Sequence, residues 1–183
     1  AKKAGYSVPD ARLKGVLSWI EGRVAAYERG EHIKRDKWDV YDQQSEAYLQ
    51  YVLALAGKGH KARMLALISK IPASSTGADA EDRYLLEAGL YIAGDRRFER
   101  DLRHPDSSPI ALKRVNDWSF YSDLRRRGMM LSTFHDLFGR DPAGEALAQR
   151  VAEGLANQAS SWYTTQELTW GIMGLGKWVG TPK

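Results

Sequence analysis

WYTTQELTWGIMGLGKWVG, residues 162–180, carries a start, a periodic body and a stop for one helix. Thr164 is placed as an N-cap, and Glu167, three residues on, completes a capping box in which each side chain serves the other's backbone N–H. Leu168, Ile172, Leu175 and Val179 recur at helical spacing, which predicts that they form the buried stripe. Gly180 stands where a left-handed C-terminal cap belongs. Gly171, Gly174 and Gly176 interrupt the body, and a glycine inside a helix costs about 1 kcal/mol against alanine. Close approach of a neighbouring helix is the expected compensation, with a hinge as the other reading.

The same punctuation repeats outward from this segment. Ala56-Gly57, Ala93-Gly94, Phe138-Gly139 and Val179-Gly180 each put a glycine after an apolar run, at intervals of 37, 45 and 41 residues. That spacing suits a repeated helical hairpin ending in a glycine cap, and four such units fit the chain. Helices are predicted from Pro9 to Tyr27, Asp39 to Ala56, His60 to Ile71, Ala80 to Ala93, Asp95 to Leu102 and Ser122 to Phe138. A seventh starts at Asp141-Pro142 and is striped by Leu147, Val151 and Leu155. The first carries Leu13, Val16, Leu17, Ile20, Val24 and Tyr27 on one face.

Odd-numbered helices are narrow-striped or polar, whereas even-numbered ones are apolar around more of their circumference. One helix of each hairpin then belongs to an outer ring and one to an inner ring. The predicted fold is therefore all-α, an α/α toroid forming an incomplete ring of about four hairpins, with a flat bundle ranked second. Only Arg103 to Tyr121 breaks the rhythm, with His104-Pro105, Ser108-Pro109 and the cluster Trp118, Phe120 and Tyr121. It reads as a packed insertion ahead of a binding loop, with short strands around Ile110 to Val115.

Composition narrows the function classes. The 183 residues are 43% apolar and 27% charged, which suits one folded domain with a core. Apolar runs are too short and too interrupted to span a membrane. The opening AKKAGYSVPD lacks the apolar stretch of a signal peptide, so the signal of an exported parent is expected elsewhere. Net charge is +4. Basic clusters at Lys34-Arg35-Asp36-Lys37, at Arg96-Arg97 with Arg100 and Arg103, and at Arg125-Arg126-Arg127 read as solvated helix ends rather than a nucleic-acid groove.

Reactive groups are sparse. With no cysteine, there is no disulfide, thiolate ligand, Cys nucleophile or internal thioester within these residues. His32, His60, His104 and His135 lack partners at metal-ligand spacing, and Ser107, Ser108, Ser160 and Ser161 lack a nucleophile elbow. No phosphate-binding glycine loop and no DDxxD or DxDD string occurs. Asp79, Glu81 and Asp82 read as helix-start carboxylates favoured by the macrodipole. Trp19, Trp38, Trp118, Trp162, Trp170 and Trp178 read as packing residues rather than a sugar site. No catalytic, cofactor-binding or metal-ligating residue is assigned, and no cofactor is expected.

Three stretches carry a family resemblance. Thr164-Thr165-Gln166-Glu167, closed by Gly176-Lys177-Trp178, resembles the "STQ(D/E)…AL.ALAKY" helix that ends the thioester domain of alpha-2-macroglobulins and complement proteins. Trp118 with Phe120-Tyr121-Ser122-Asp123-Leu124-Arg125 and Gly128-Met129-Met130-Leu131 resembles the "W…Y.S..RD.A..L" entry to an inner helix in bacterial members. Ala47-Tyr48-Leu49-Gln50-Tyr51-Val52-Leu53-Ala54-Leu55-Ala56-Gly57 resembles their "AYALYVLA.AG" helix.

Together these cover most of the chain in the family's order. The resemblance implies that residues 1–183 are the C-terminal part of a thioester-type toroid in a large periplasmic or cell-surface protein that traps proteases in envelope defence. Its partners would be the remaining domains of the parent and target proteases, with no nucleic acid and no metal. The chain departs from the pattern in having no Cys for a C-x-E-Q thioester and about four hairpins where the family has six. It is then either a fragment lacking the opening hairpins or part of a parent without a thioester. Gln166 belongs to the closing helix and is not the thioester Gln. An open ring is expected to leave apolar faces uncovered, giving self-association or reduced stability of the isolated chain. The competing readings are a toroid lyase or glycosidase with central carboxylates, and a peptide-binding helical repeat.

Overall fold

The computed structural model describes residues 7–31, 46–105, 122–156 and 163–180. Eight α-helices and no strand occur among them: α1 (Asp10–Glu28), α2 (Glu46–Leu55), α3 (Lys61–Ile68), α4 (Gly77–Ile92), α5 (Glu99–Arg103), α6 (Asp123–Phe138), α7 (Glu145–Ala156) and α8 (Thr165–Gly180). A 3-10 turn, Pro142–Gly144, leads into α7. The all-α expectation holds. The expected strands around Ile110 to Val115, and the Lys34-Arg35-Asp36-Lys37 cluster, lie outside the described residues.

Local chemistry sets the helix ends. The Ser122 hydroxyl accepts from the Arg125 N–H at 3.2 Å, and the Asp141 carboxylate from that of Ala143 at 2.9 Å. The Thr164 box closes in both directions: the Glu167 N–H donates to Thr164 Oγ1 at 3.1 Å, and the Thr164 N–H to Glu167 Oε2 at 2.6 Å. α2 ends at Gly57, φ 75°, with the Lys58 N–H on Leu53 O at 2.8 Å and the Gly57 N–H on Ala54 O at 3.0 Å. This Schellman pattern needs a residue in the left-handed region, where glycine lacks the Cβ penalty. Gly94 and Gly30 end α4 and α1 in the same way. Gly180, expected as a left-handed cap, is instead the last residue of α8.

The even-numbered helices share the main core with α7, which adds Leu147, Ala148 and Val151, and with Leu102 of α5. α6 lies along α8 in the largest helix contact, α2 lies along α4, and α4 also reaches α6. Tyr48 of α2 meets Trp170 of α8 edge-on, with centroids 6.4 Å apart. Tyr51, Leu85, Met129, Leu131, Phe134 and Trp178 fill the space these helices enclose. Full burial of side chains this size stabilises by about 1.5–3 kcal/mol each. α1 rests on α2, α3 on α4 and α2, α5 on α4, and α7 on α6 and α8.

α1 uses less of its stripe than expected. Ile20 and Val24 are buried against Leu49 and Leu53 of α2, but Val16 and Trp19 are each 56% exposed. Trp19 is therefore not a core residue. Its ring carries the Arg23 guanidinium 5.7 Å from the centroid.

Candidate functional site

The seam between α6 and α8 is the most densely specified part of the molecule. A Cβ at Gly128 would sit 2.5 Å from the Trp170 carbonyl carbon and 2.6 Å from the Gly171 nitrogen. One at Gly174 would sit 2.5 Å from the Gly128 carbonyl oxygen. The two backbones touch because neither helix has a side chain there. This is the close approach expected for Gly174; a Cβ at Gly171 would instead meet the Leu155 side chain of α7 at 3.0 Å, and one at Gly176 would meet nothing within 4 Å among the described residues.

That contact rolls α8 away from the predicted orientation. The buried positions are Glu167, Gly171, Gly174 and Trp178. Three of the four residues predicted to be buried turn outward instead, with Leu168 38%, Ile172 60% and Val179 63% exposed, while Leu175 stays half-buried against the main core. The physical reason is that backbone-to-backbone packing against α6 places α8 by its smallest residues, not by its most hydrophobic ones.

Charged groups bind the seam at both ends. Near the start of α8, Arg125 donates to Gln166 Oε1 at 2.7 Å and to both oxygens of Glu81, at 2.8 and 2.9 Å, fastening α6 to α8 and α4. Burial pushes the Glu81 carboxyl upward, and the adjoining Arg125 charge pulls it back. Near the far end, Lys177 donates to Ser132 Oγ at 2.9 Å and Asp136 Oδ2 at 2.8 Å. Asp123 pairs with the fully buried Arg126 at 3.1 Å and with Arg127 at 2.7 Å.

Two readings of charge change accordingly. Arg125-Arg126-Arg127 is an interior cluster rather than a solvated helix end, since carboxylates from α4 and the first turn of α6 meet it inside. Glu81 is a buried cross-helix partner rather than a helix-start carboxylate, whereas Asp79 is exposed in the first turn of α4 as expected. Gln166 serves here as the α8 acceptor for Arg125. These groups tie three helices together, and the Glu81 side chain, 7% exposed, is set back from solvent.

The other candidate residues are dispersed. His60 precedes α3 at the N-cap position without a side-chain capping bond and lies 3.8 Å from Glu28, His104 follows α5, and His135 sits on α6, where burial lowers its pKa. Among the described residues no three His, Cys, Asp or Glu side chains converge as metal ligands. Trp178 is buried and Trp170 half-buried, in keeping with packing roles. His32, Trp38, Trp118, Trp162 and the four serines fall outside the described residues.

α8 also presents an outer surface. Thr165, Leu168, Thr169, Ile172, Met173, Gly176, Val179 and Gly180 are exposed, and none is charged. Tyr163, Thr165, Leu168, Thr169, Ile172 and Met173 line a shallow hollow on it. The Tyr163 hydroxyl lies 3.1 and 3.0 Å from the carbonyls of Gly154 and Leu155, which pins the approach to α8 onto α7. No family model, curated protein or solved structure matches this chain.

Proposed function

We propose that this chain is a non-enzymatic helical scaffold, the C-terminal part of the thioester-type α/α toroid of a bacterial alpha-2-macroglobulin-like protein, serving in protease trapping at the periplasm or cell surface. The observation that carries the reading is the division of labour between alternate helices. The longest helix pairings run α6 with α8 and α2 with α4, while α1, α3 and α5 lie to their sides; α7 adds Leu147, Ala148 and Val151 to the main core, and the pairing of α2, α4, α6 and α8 supports an inner-ring reading. Two of the three stretches behind the family resemblance coincide with α2 and α8, and the third continues into α6. The carboxylates nearest the core, Glu81 and Glu87, are paired with Arg125 and Arg83 rather than grouped around a cavity, which favours a scaffold over a carboxylate-driven lyase or glycosidase.

The test uses the full-length gene product that contains this chain, incubated with trypsin. Capture predicts co-elution of the protease with the large protein, loss of casein hydrolysis and retained cleavage of a small peptide substrate. Trypsin that elutes alone and digests casein at its full rate contradicts the proposal.

A further inference from the structure

We infer that the end of the molecule where α4, α6 and α8 terminate is a contact site for an acidic peptide segment of a partner protein. α4 and α6 run parallel, since Glu81 meets Arg125 near their starts and Tyr91 meets Phe138 near their ends. α6 and α8 run parallel too: Gly128 lies against Gly171, and Asp136 against Lys177 further along both helices. The three C-terminal ends therefore share one end of the molecule. There Tyr91, Phe138, Phe134 and Trp178 make a row of rings with successive centroids 5.1, 5.2 and 6.3 Å apart. Three guanidinium groups stand against that row, Arg96 3.6 Å from the Tyr91 centroid, Arg103 4.3 Å from that of Phe138 and Arg140 5.9 Å from that of Trp178.

Most carboxylates at this end are already engaged. Asp95 holds Arg97, while Glu99 and Asp141 both hold Arg103. Arg96 and Arg140, by contrast, have no carboxylate of the described residues within ion-pair distance. Neither has Lys61, whose Nζ reaches the same end, 3.9 Å from where a Cβ on Gly94 would stand. The negative ends of α4 and α6 explain why cations gather here, but a helix end carries only about half a unit charge and leaves the guanidinium groups largely uncompensated.

The geometry also selects the partner's chemistry. Resting on Tyr91, the Arg96 guanidinium is restrained before any partner arrives, so its fork of N–H donors loses less freedom when it takes a carboxylate. Asp95, Glu99 and Asp141 lie among the cations and repel a uniformly charged polyanion, which favours a short peptide with spaced Asp or Glu over a nucleic-acid backbone. The inference rests on this charge arrangement alone and stands whether or not the parent captures proteases.

Fluorescence anisotropy of a short dye-labelled peptide of alternating Glu and Gly, titrated with the 183-residue chain at low salt, tests it. Binding should saturate and weaken as salt is added. Arg96→Gln with Arg140→Gln should weaken it about fivefold, as expected for the loss of two exposed ion pairs. Arg12→Gln with Lys70→Gln removes the same charge at exposed positions on α1 and just after α3, and should weaken it less than about twofold. Helicity and melting of both double variants verify that they fold. No saturable binding, equal weakening by the two double variants, or tighter binding of a phosphodiester oligonucleotide of the same charge would overturn the inference.

Discussion

Gly128→Ala is the most informative single substitution. The new methyl group would lie 2.5 Å from the Trp170 carbonyl carbon and 2.6 Å from both the Trp170 oxygen and the Gly171 nitrogen. Ordinary contact begins near 3.4 Å, so α6 and α8 must separate by roughly 1 Å along the seam, a gap that forfeits a quarter to a half of the dispersion well for each atom pair it opens. Overpacking costs about 1–3 kcal/mol, and the upper end applies because the obstacles are peptide groups rather than flexible side-chain tips. Alanine returns about 1 kcal/mol of helix propensity. The net loss is about 2 kcal/mol. In urea this lowers the unfolding midpoint by about 1 M for a slope near 2 kcal/mol per M. Gly176→Ala, where no described residue stands within 4 Å, should instead raise stability by up to about 1 kcal/mol. Equal effects of the two substitutions, or a Gly128→Ala midpoint indistinguishable from wild type, would refute the backbone contact.

Three further outcomes follow from the charged and capping groups. Arg125→Leu strands the buried Glu81 carboxylate and should cost about 3–5 kcal/mol near neutral pH. The loss should shrink in acid as Glu81 takes up a proton, and Arg125→Leu with Glu81→Leu should be milder than the single change, as denaturant melts at pH 5 and 7.5 would measure. Burial pushes the Glu87 carboxyl up to about 7 against its Arg83 partner, and the nearby Asp101 charge adds to the rise. The folded state then holds a proton that the unfolded chain releases near 4.5, so this group's contribution falls as pH rises from 4.5 to about 7, by on the order of 3 kcal/mol, and is flat above. Glu87→Gln should remove that slope from a pH series of chemical melts. Thr164→Ala breaks one half of the capping box and should cost about 1 kcal/mol, visible as a lower Tm and faster amide exchange in the first turn of α8.

The helices were legible in the sequence because their signals are local. Thr164 and Glu167, Ser122, Asp141, Gly57 and Gly94 act on backbone groups within a few residues, so each could be read from its neighbours. Gly30 ends α1 by the same bonding and was open to the same reading, yet it follows the charged Glu28-Arg29 rather than an apolar run. The roll of α8 was not legible from hydrophobicity. Leu168, Ile172, Leu175 and Val179 carry the large side chains, but Gly171 and Gly174 bury main chain, to which a hydropathy pattern is blind. The usable signal was the three-residue spacing of those two glycines together with Gly128 on a different predicted helix. The interior position of Arg125, Arg126 and Arg127 was hidden for another reason. Asp123 lies within a turn of two of them, but the Glu81 and Gln166 that satisfy Arg125 are about forty residues away in either direction. Only tertiary structure brings them together.

The central structural claim is that α8 docks through its glycine face and leaves Leu168, Ile172 and Val179 outside. Thiol reactivity of single-cysteine variants tests this most directly, because the wild-type chain has no cysteine of its own. Ile172→Cys and Val179→Cys, measured dilute and reduced, should react with a soluble disulfide reagent within a few-fold of their rates in denaturant. Leu131→Cys, at a fully buried position on α6, should be strongly protected. Protection of Ile172→Cys and Val179→Cys comparable to that of Leu131→Cys would place these positions in the core and contradict the account.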